Sequence, residues 1–533
     1  MHALRLCACP AWLLTCAALL ISAANAQPLP APVASALAAA GIPQSQVAVL
    51  IQDVAADKPA LAHNATAPMN PASTIKLLTT YAALELLGPT YLWKTTAWSA
   101  AAQTDDVLEG DLTLRGGGDP KLTFEHFWQL LRGLRARGIR EIRGDLVLDR
   151  SWMDGSNHDP SKFDGEPTRP YNVGPDALLL NFKAFRFFFL PDATRRTVNL
   201  LTEPPSTALE VSNTLKLTDG PCGDWLSRIK LEVRTGGRGA RAGFAGSYPS
   251  SCGEREWNVA LLSHQDYVAG VFRKLWEELG GSLQGRIREG GVGRGARAGF
   301  AGSYPSSCGE REWNVALLSH QDYVAGVFRK LWEELGGSLQ GRIREGGVAA
   351  GARLIATQES ASLSEMVRDI NKYSNNVMAR QLYLTLSAEL LGTPGRSDRS
   401  ETVIRGWLEQ KGWAMPELVL ENGSGLSREE RISAANLGRM LVAAFRSPVM
   451  PELLASLPLV AYDGTMRRRL KFQPVAGQAH IKTGSLSGVR SMAGYVLDRN
   501  GQRKVVVFFI NHANAAAGQT AHDALLRWVY ESR

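Results

Sequence analysis

Three short motifs combine residue types that carry out nucleophilic catalysis. In the first, Ser73 and Lys76 lie three positions apart at the start of an apolar-periodic segment. On a helix, this spacing puts the hydroxyl and the amine on one face, within hydrogen-bonding reach. An amine that burial or a nearby positive charge keeps neutral can take the proton of a serine hydroxyl. The pair therefore has the residue types and the spacing that nucleophilic catalysis requires.

The other two motifs supply a second serine and a second lysine. Ser374-Asn-Asn376 lies on or between predicted helices, and Lys482-Thr-Gly484 ends a predicted strand. The glycine lets a substrate backbone approach the strand edge closely. Each motif alone has an ordinary explanation: Ser-x-x-Lys is expected by chance roughly once or twice in a chain of this size, and a serine can cap a helix. Their combination is what predicts an active site.

The apolar pattern indicates which elements hold these motifs. Residues 73–87 place apolar side chains at spacings of three and four, which predicts a helix, and residues 363–386 predict another. Residues from about 179 to 234 alternate and predict a mostly β region. The continuously apolar run at 504–510 is typical of a strand that is buried on both faces.

A tandem duplication interrupts the chain. Residues 237–292 recur without a change as residues 293–348, each copy predicting a short strand and an amphipathic helix. A solenoid needs at least about three repeats to bury a continuous core, so two copies do not predict one. We expect one copy to occupy a packed position and the other to protrude or to pack as an extra strand-helix unit. Complete identity favours a recent in-frame duplication or an assembly error.

The first 26 residues predict a cleavable export signal. Arg5 supplies the positive charge, residues 12–21 form a short apolar core, and Ala24-Asn25-Ala26 is a small-residue cleavage site. The alternative is a membrane anchor, because residues 6–24 approach the length of a spanning helix. Pro10 and the small-residue site favour cleavage, and hence a periplasmic protein.

Composition and charge exclude several classes of protein. The 533 residues are 45% hydrophobic and 21% charged, which is typical of a soluble globular protein and excludes a disordered, collagen-like or polytopic membrane chain. The net charge of +8 is modest and spread along the chain. It favours anionic surfaces such as cell wall or lipid headgroups over nucleic acid. Histidine and cysteine spacing predicts no metal site, and no cofactor is expected.

Cysteine usage fits an exported protein. Once the signal is removed, Cys222, Cys252 and Cys308 remain, and Cys308 is the repeat copy of Cys252. One copy of the repeat would leave two cysteines, the number needed for one disulfide in an oxidising compartment. The sequence leaves open whether Cys222 pairs with Cys252 or with Cys308.

The wider context of the motifs resembles a known family. Together, Ser-x-x-Lys, the Ser-Asn-Asn element and Lys-Thr-Gly are the signature of active-site serine penicillin-recognising enzymes. The mature chain outside the extra repeat copy resembles the class C low-molecular-mass penicillin-binding proteins, the D-alanyl-D-alanine carboxypeptidase/endopeptidase family of the penicillin-binding protein 4 type. The segments that carry the resemblance are Pro71-Ala-Ser-Thr-Ile-Lys76, Gly116-Gly-Gly-Asp-Pro120, Tyr171-Asn-Val-Gly-Pro-Asp-Ala177, Tyr373-Ser-Asn-Asn376, Asn422-Gly-Ser-Gly-Leu-Ser-Arg428 and His480-Ile-Lys-Thr-Gly-Ser-Leu-Ser-Gly488.

The resemblance implies an α/β (α+β) multidomain fold: a serine β-lactamase/transpeptidase-like catalytic domain with two inserted smaller domains. The catalytic domain would comprise residues 27–102 and 350–533. Residues 103–150 would form a small α+β domain, and residues 151–349 a mostly β domain that contains the duplication. Ser73 and Ser374 are 301 positions apart, and a compact β-lactamase has no room for such an insertion.

The resemblance also implies a role for each motif residue. Ser73 would attack the carbonyl of the penultimate D-alanine of a peptidoglycan stem peptide, and Lys76, close to Lys482, would take its proton. Ser374 would relay a proton to the leaving amine. Asn376 would bind the substrate amide and help to hold Lys76.

By the same resemblance, Lys482 and Thr483, followed by Gly484, would bind the terminal carboxylate that a β-lactam mimics. The backbone N–H groups of Ser73 and Ser485 would form the oxyanion hole. Three more residues fall in segments that, in the family, form the pocket for the diamino acid side chain of the stem peptide: Asp164, Tyr171 and Arg428.

Two other functions stay open at this point. A serine β-lactamase would use the same motifs but would deacylate fast. A catalytically impaired peptidoglycan-binding protein would result if the duplication distorted the site. The expected partners are stem peptides and β-lactam antibiotics, with peripheral membrane or cell-wall association and a homodimer left as open alternatives.

Overall fold

The computed structural model describes residues 27–154, 158–203, 209–235, 240–259, 296–302, 313–315 and 320–532. The predicted export signal, the predicted helix of the first repeat copy and Cys308 lie outside these ranges. No helix within these ranges combines the length and the apolar character needed to cross a membrane.

Helices are most frequent after the repeat. Those of the described residues are α1 (Ala31–Ala39), α2 (Lys76–Leu87), α3 (Phe124–Ala136), α4 (His320–Glu334), α5 (Leu363–Tyr373), α6 (Asn376–Leu391), α7 (Ser397–Gln410), α8 (Ala434–Phe445), α9 (Met450–Ser456) and α10 (Gln519–Glu531).

Strands dominate the middle of the chain and return at its end. In the described residues they are β1 (Val47–Asp53), β2 (Leu61–His63), β3 (Pro68–Met69), β4 (Lys94–Ser99), β5 (Gln103–Thr104), β6 (Val107–Leu108), β7 (Leu112–Arg115), β8 (Glu141–Ile142), β9 (Leu146–Asp149), β10 (Phe185–Asp192), β11 (Thr197–Glu203), β12 (Leu209–Thr218), β13 (Ile229–Thr235), β14 (Ala240–Pro249), β15 (Arg255–Val259), β16 (Ala296–Gly302), β17 (Trp313–Val315), β18 (Ser338–Leu339), β19 (Ile343–Glu345), β20 (Arg353–Glu359), β21 (Ile432–Ser433), β22 (Ala479–Leu486), β23 (Val489–Leu497) and β24 (Arg503–Asn511).

A five-stranded antiparallel sheet, in the order β2-β1-β24-β23-β22, brings the two ends of the chain together. Alternate residues of β24 enter two different cores. Val507 lies in the core shared with α2, α5, α6 and α8, whereas Phe508 lies in the core shared with α1 and α10. The prediction that this run is buried on both faces is confirmed.

The prediction of one helix over residues 363–386 is wrong, because the chain turns at Ser374. The backbone φ of Ser374 is +57°, which ends α5, and the Asn375 side chain accepts a hydrogen bond from the Met378 N–H to start α6. Short polar residues tolerate the left-handed conformation and cap helices, so Ser374 and Asn375 override the continuous apolar pattern. The break places Ser374 and Asn376 at a corner between two helices.

The described residues from β4 to β20 form four sheets that are separate from the five-stranded sheet described above. One has the order β19-β9-β7-β4-β20 and another the order β18-β8-β6-β5, and α3 and α4 supply the side chains of their core. Two further sheets, β11-β10-β15-β17 and β12-β14-β13-β16, confirm the predicted β region. In this region the Sγ atoms of Cys222 and Cys252 lie 2.7 Å apart in the core.

The two repeat copies offer interchangeable strands to the same partners. Ile229 of β13 pairs with Gly246 of the first copy and with Gly302, the equivalent residue of the second copy. Phe185 of β10 likewise pairs with Val259 and with its copy, Val315. The described helix α4 belongs to the second copy, and its buried side chains join the core that contains α3. In the described residues, strands of both copies therefore pair with the same residues of β13 and β10.

Deleting residues 237–292 should leave a folded protein. The product has 477 residues, 533 less 56, and is the same chain that deletion of 293–348 would give. We expect its thermal unfolding, monitored by circular dichroism, to be as cooperative as that of the full-length chain. Loss of cooperative unfolding would show that both copies are needed.

Candidate active site

Ser73 lies in a 3₁₀ turn, Ala72–Ile75, that leads directly into the buried helix α2. The preceding Ala72 has φ +44°, a strained conformation that persists only where its surroundings fix it. The Asn70 Oδ1 accepts a hydrogen bond from the Ala72 N–H at 2.8 Å, and the Ser491 hydroxyl donates to the Pro71 carbonyl at 2.5 Å. These bonds fix the turn against β23 and leave the Ser73 side chain partly accessible.

Lys76 is fully buried, and its amine lies next to the Ser73 hydroxyl. Its Nζ donates to the Ser73 Oγ at 3.1 Å, to the Asn376 Oδ1 at 2.6 Å and to the Ser424 carbonyl. Burial lowers the pKa of Lys76 well below its ordinary value, and the positive charge of Lys482 lowers it further. An amine with these surroundings can accept a proton from the serine.

Lys482 forms a second serine–lysine pair on the opposite side of the site. It is fully buried, and its Nζ donates to the Ser374 Oγ at 2.8 Å and to the Thr483 carbonyl at 2.6 Å. Burial lowers the pKa of Lys482 to about 7. The Thr483 hydroxyl donates to the Thr465 hydroxyl at 2.8 Å. The three predicted motifs therefore meet at one place.

Gly484 allows the edge strand β22 to lie directly against the Ser73 turn. A Cβ atom at this position would be 2.3 Å from the Ser491 Oγ and 2.7 Å from the backbone N of Ser73. β22 is the last strand of its sheet, and residues 458–460 pair with its outer edge at residues 479–481. The outer edge that follows, from Lys482 onward, is the part that an extended peptide could use. Ser485 follows on this strand and is exposed.

Asp164 and Tyr171 lie together in the loop between β9 and β10. The Tyr171 hydroxyl donates to the Asp164 Oδ2 at 2.8 Å, and the Asn172 Nδ2 donates to the Oδ1 at 2.8 Å. Partial burial raises the pKa of Asp164, but hydrogen bonds from Tyr171, the Glu166 N–H and Asn172 outweigh it and hold this pKa below its usual value. The carboxylate is therefore ionised at neutral pH.

Arg428 joins this loop to the Lys-Thr-Gly strand. Its Nη1 donates to the Ser487 carbonyl at 2.8 Å, just beyond β22, and its guanidinium lies 5.0 Å from the centre of the Phe163 ring. Because Phe163 precedes Asp164 directly, all three predicted pocket residues lie around one corner of the site.

Sequence reasoning missed groups that complete this arrangement. The Ser424 carbonyl is an acceptor for Lys76, Thr465 supports Thr483, and Phe163 packs against Arg428. Glycines flank Ser424 in the sequence, which indicates a turn but no catalytic role, and their φ values in the structure are +67° and +78°. Within the described ranges, no group of three or more His, Cys, Asp or Glu side chains could hold a metal ion.

Comparison with known proteins places the chain in a family. The model of the D-Ala-D-Ala carboxypeptidase 3 (S13) family matches residues 29–298 and 292–532. The two matches overlap where the second repeat copy begins. The D-alanyl-D-alanine carboxypeptidase of Actinomadura sp. (strain R39) is 27% identical over 482 residues, which are 88% of this chain and 78% of that protein. The D-alanyl-D-alanine carboxypeptidase DacB of Haemophilus influenzae is 22% identical over 451 residues, which are 84% of this chain and 82% of that protein.

The fold agrees with this relationship. The crystal structure of penicillin binding protein 4 from Haemophilus influenzae matches with a TM-score of 0.71 at 19% identity, over 94% of this chain and 99% of that one. The predicted fold class, a penicillin-binding protein fold with inserted domains, is confirmed. With a family model that spans nearly the whole described chain, the protein is a serine peptidase that belongs to the D-Ala-D-Ala carboxypeptidase 3 (S13) family.

Proposed function

We propose that the protein is a periplasmic D-alanyl-D-alanine carboxypeptidase and endopeptidase that acts on peptidoglycan stem peptides through an acyl-enzyme on Ser73. The observation that carries the proposal is the 3.1 Å hydrogen bond from the buried Lys76 amine to the Ser73 hydroxyl. A lysine that burial keeps neutral is the base that this hydroxyl needs.

Substrate binding would use the edge of β22. A stem peptide extended along this edge brings its terminal carboxylate to Lys482 and Thr483. The same groups would hold the carboxylate of a β-lactam, which accounts for inhibition by these antibiotics. Charge-assisted hydrogen bonds of this kind are stronger than neutral ones, and they fix the orientation of the peptide.

Acylation then proceeds by proton transfer from Ser73 to Lys76. The Ser73 Oγ attacks the penultimate D-alanine carbonyl, and the N–H groups of Ser73 and Ser485 stabilise the oxyanion. Ser374, which Lys482 holds at 2.8 Å, passes a proton to the leaving amine. The C–N bond breaks and D-alanine leaves, and water then hydrolyses the ester. In the endopeptidase reaction, the leaving amine is that of a cross-linked peptide.

The direct test is D-alanine release from a pentapeptide that ends in D-Ala-D-Ala. The proposal predicts release, together with a long-lived penicilloyl adduct. Rapid turnover of the adduct would instead indicate a β-lactamase. Binding of peptidoglycan by folded protein without D-alanine release would indicate a catalytically impaired wall-binding protein.

Acylation should slow as the pH falls through the lowered pKa of Lys76. Burial and the positive charge of Lys482 place this pKa well below its ordinary value. An amine is a base only above its pKa, so the rate is expected to decline as Lys76 gains a proton. The second-order rate constant for a fluorescent penicillin, measured from acidic to mildly basic pH, gives this profile. A rate that does not fall on acidification would contradict a lysine base.

Asp164→Ala should weaken recognition of stem peptides that carry a diamino acid. The ionised carboxylate, bonded to Tyr171, is placed to attract an ammonium group, and its removal should raise KM about tenfold. Acylation by benzylpenicillin, which lacks that ammonium group, should not change. Asp159→Ala is the matched control, since this exposed carboxylate bonds to Ser161 in the same loop. An equal loss of activity on both substrates would contradict a pocket role.

A further inference from the structure

A buried carboxylate interacts electrostatically with Lys76. Glu430 is fully buried, and its Oε1 accepts hydrogen bonds from the backbone N–H groups of Glu421, Asn422 and Gly423 at 3.3, 3.1 and 2.9 Å. Three donors on one oxygen fix the path of this segment. Without the carboxylate, the segment would have three unsatisfied buried N–H groups.

The segment that Glu430 holds carries an acceptor for Lys76. The Ser424 carbonyl accepts a hydrogen bond from the Lys76 Nζ. The neighbouring Gly423 carbonyl accepts one from the Thr79 hydroxyl at 2.8 Å, one turn further along α2. The segment is thus held from both sides, by Glu430 and by Thr79, and any displacement of it would move the Lys76 amine relative to Ser73.

Glu430 also interacts electrostatically with Lys76. Burial raises the pKa of Glu430, and the three N–H donors and Lys76 offset only part of this rise. Its Oε2 is buried and makes no hydrogen bond within the described residues. The charge of Glu430 raises the pKa of Lys76, whereas Lys482 and Arg380 lower it.

The side chains of other titratable groups in this region form hydrogen bonds with partners other than Glu430. Arg380 donates to the Tyr171 and Val173 carbonyls, and Glu421 accepts a hydrogen bond from Lys162 at 3.1 Å. The pKa of Tyr383 is raised, first by burial and then by the charge of Glu430, so this phenol stays neutral. Glu430 is therefore the carboxylate that raises the pKa of Lys76.

We propose that Glu430 is a positioning residue for Lys76: it braces the 421–424 segment that holds the amine and supplies the counter-charge when Lys76 takes the proton of Ser73. The inference rests on the proposed function. To act as a base the amine must be neutral, and proton transfer then creates an ammonium ion in a buried site. The ionised form of Glu430 lowers the free energy of that ammonium ion, because the interior screens charges weakly.

Glu430→Gln tests this role because it keeps an oxygen for the three N–H groups but removes the charge. We expect about a tenfold fall in the maximal acylation rate by a fluorescent penicillin, because a less basic amine accepts the serine proton less readily. We also expect the acidic limb of the pH profile to move to lower pH, because Glu430 raises the pKa of Lys76. Glu429→Gln, at the exposed neighbouring position, is the matched control and should leave the limb in place. If folded Glu430→Gln shows the same acidic limb in its pH profile of acylation as the wild type, the inference is overturned.

Thr79→Val tests the brace without altering any charge. It removes the hydroxyl bond to the Gly423 carbonyl, and we expect acylation to fall several-fold with the acidic limb unchanged. If Glu430→Gln does not fold, a wild-type acylation rate in Thr79→Val would overturn the inference. Failure of the proposed function would give a different result from failure of this inference, because wild-type protein would then form no penicilloyl adduct at all.

Discussion

Ser73→Ala is expected to abolish D-alanine release and penicillin labelling, with a loss in kcat on the order of 10⁶-fold. The hydroxyl is the only atom lost, and its described partner is the Lys76 amine at 3.1 Å. The turn itself stays fixed, because the bonds of Asn70 and Ser491 to the Ala72 N–H and the Pro71 carbonyl do not involve the Ser73 side chain. The thermal midpoint should therefore match that of the wild type.

Ser447→Ala is the matched control for this variant. The Ser447 hydroxyl donates to the Ala444 carbonyl at the end of α8, so its removal should leave labelling and D-alanine release unchanged. Residual labelling of folded Ser73→Ala at the wild-type rate would mean that another residue is acylated.

Lys76→Met is expected to slow acylation by at least about 10³-fold, since the variant removes the base but keeps a straight side chain of similar length. The position is fully buried and the lysine pKa lies well below its ordinary value, so the protein gains little stability from the charged amine. We expect an unchanged or higher unfolding midpoint together with the loss of acylation. The measurement is the second-order rate constant with a fluorescent penicillin, beside a thermal scan.

Lys76→Arg separates basicity from charge. A guanidinium stays protonated in proteins and cannot take the serine proton, so this variant should fail as Lys76→Met does. Acylation of the arginine variant at the wild-type rate would contradict the base role.

The apolar pattern is sufficient to predict the buried strand β24. The run in β24 alternates between two cores, and a buried strand of this kind has few competing interpretations. The break at Ser374 was not predictable from periodicity, because the apolar spacing continues through it. The positive φ of Ser374 and the cap at Asn375 depend on local polar hydrogen bonds that the pattern does not contain.

The residues of the site also fall into those that the sequence predicts and those that depend on the tertiary fold. Ser73 and Lys76 are close in sequence, so helical geometry alone predicts that they meet. The Ser424 carbonyl is 348 positions from Lys76, and Glu430 is further still, so their contacts with the site depend on the tertiary fold. A backbone carbonyl and a buried carboxylate carry no residue-type signal for catalysis, which is why sequence reasoning missed both.

The duplication was visible in the sequence, but its structural consequence was only partly predictable. Identical strands of the two copies pair with both edges of β13, and both copies pair with Phe185 of β10, as identical sequences allow. We expected one packed copy and one protruding or extra unit. In the described residues, strands of both copies occur, and the helix comes from the second copy, which is continuous with the strands that lead to α5.

Peptide mapping of the penicillin-treated protein by mass spectrometry tests the central claim most directly. The account predicts one penicilloyl group per chain, on the peptide that contains Ser73, and no adduct when Ser73 is alanine. An adduct on Ser374 or elsewhere, or a folded wild-type protein that stays unmodified, would contradict an acyl-enzyme on Ser73.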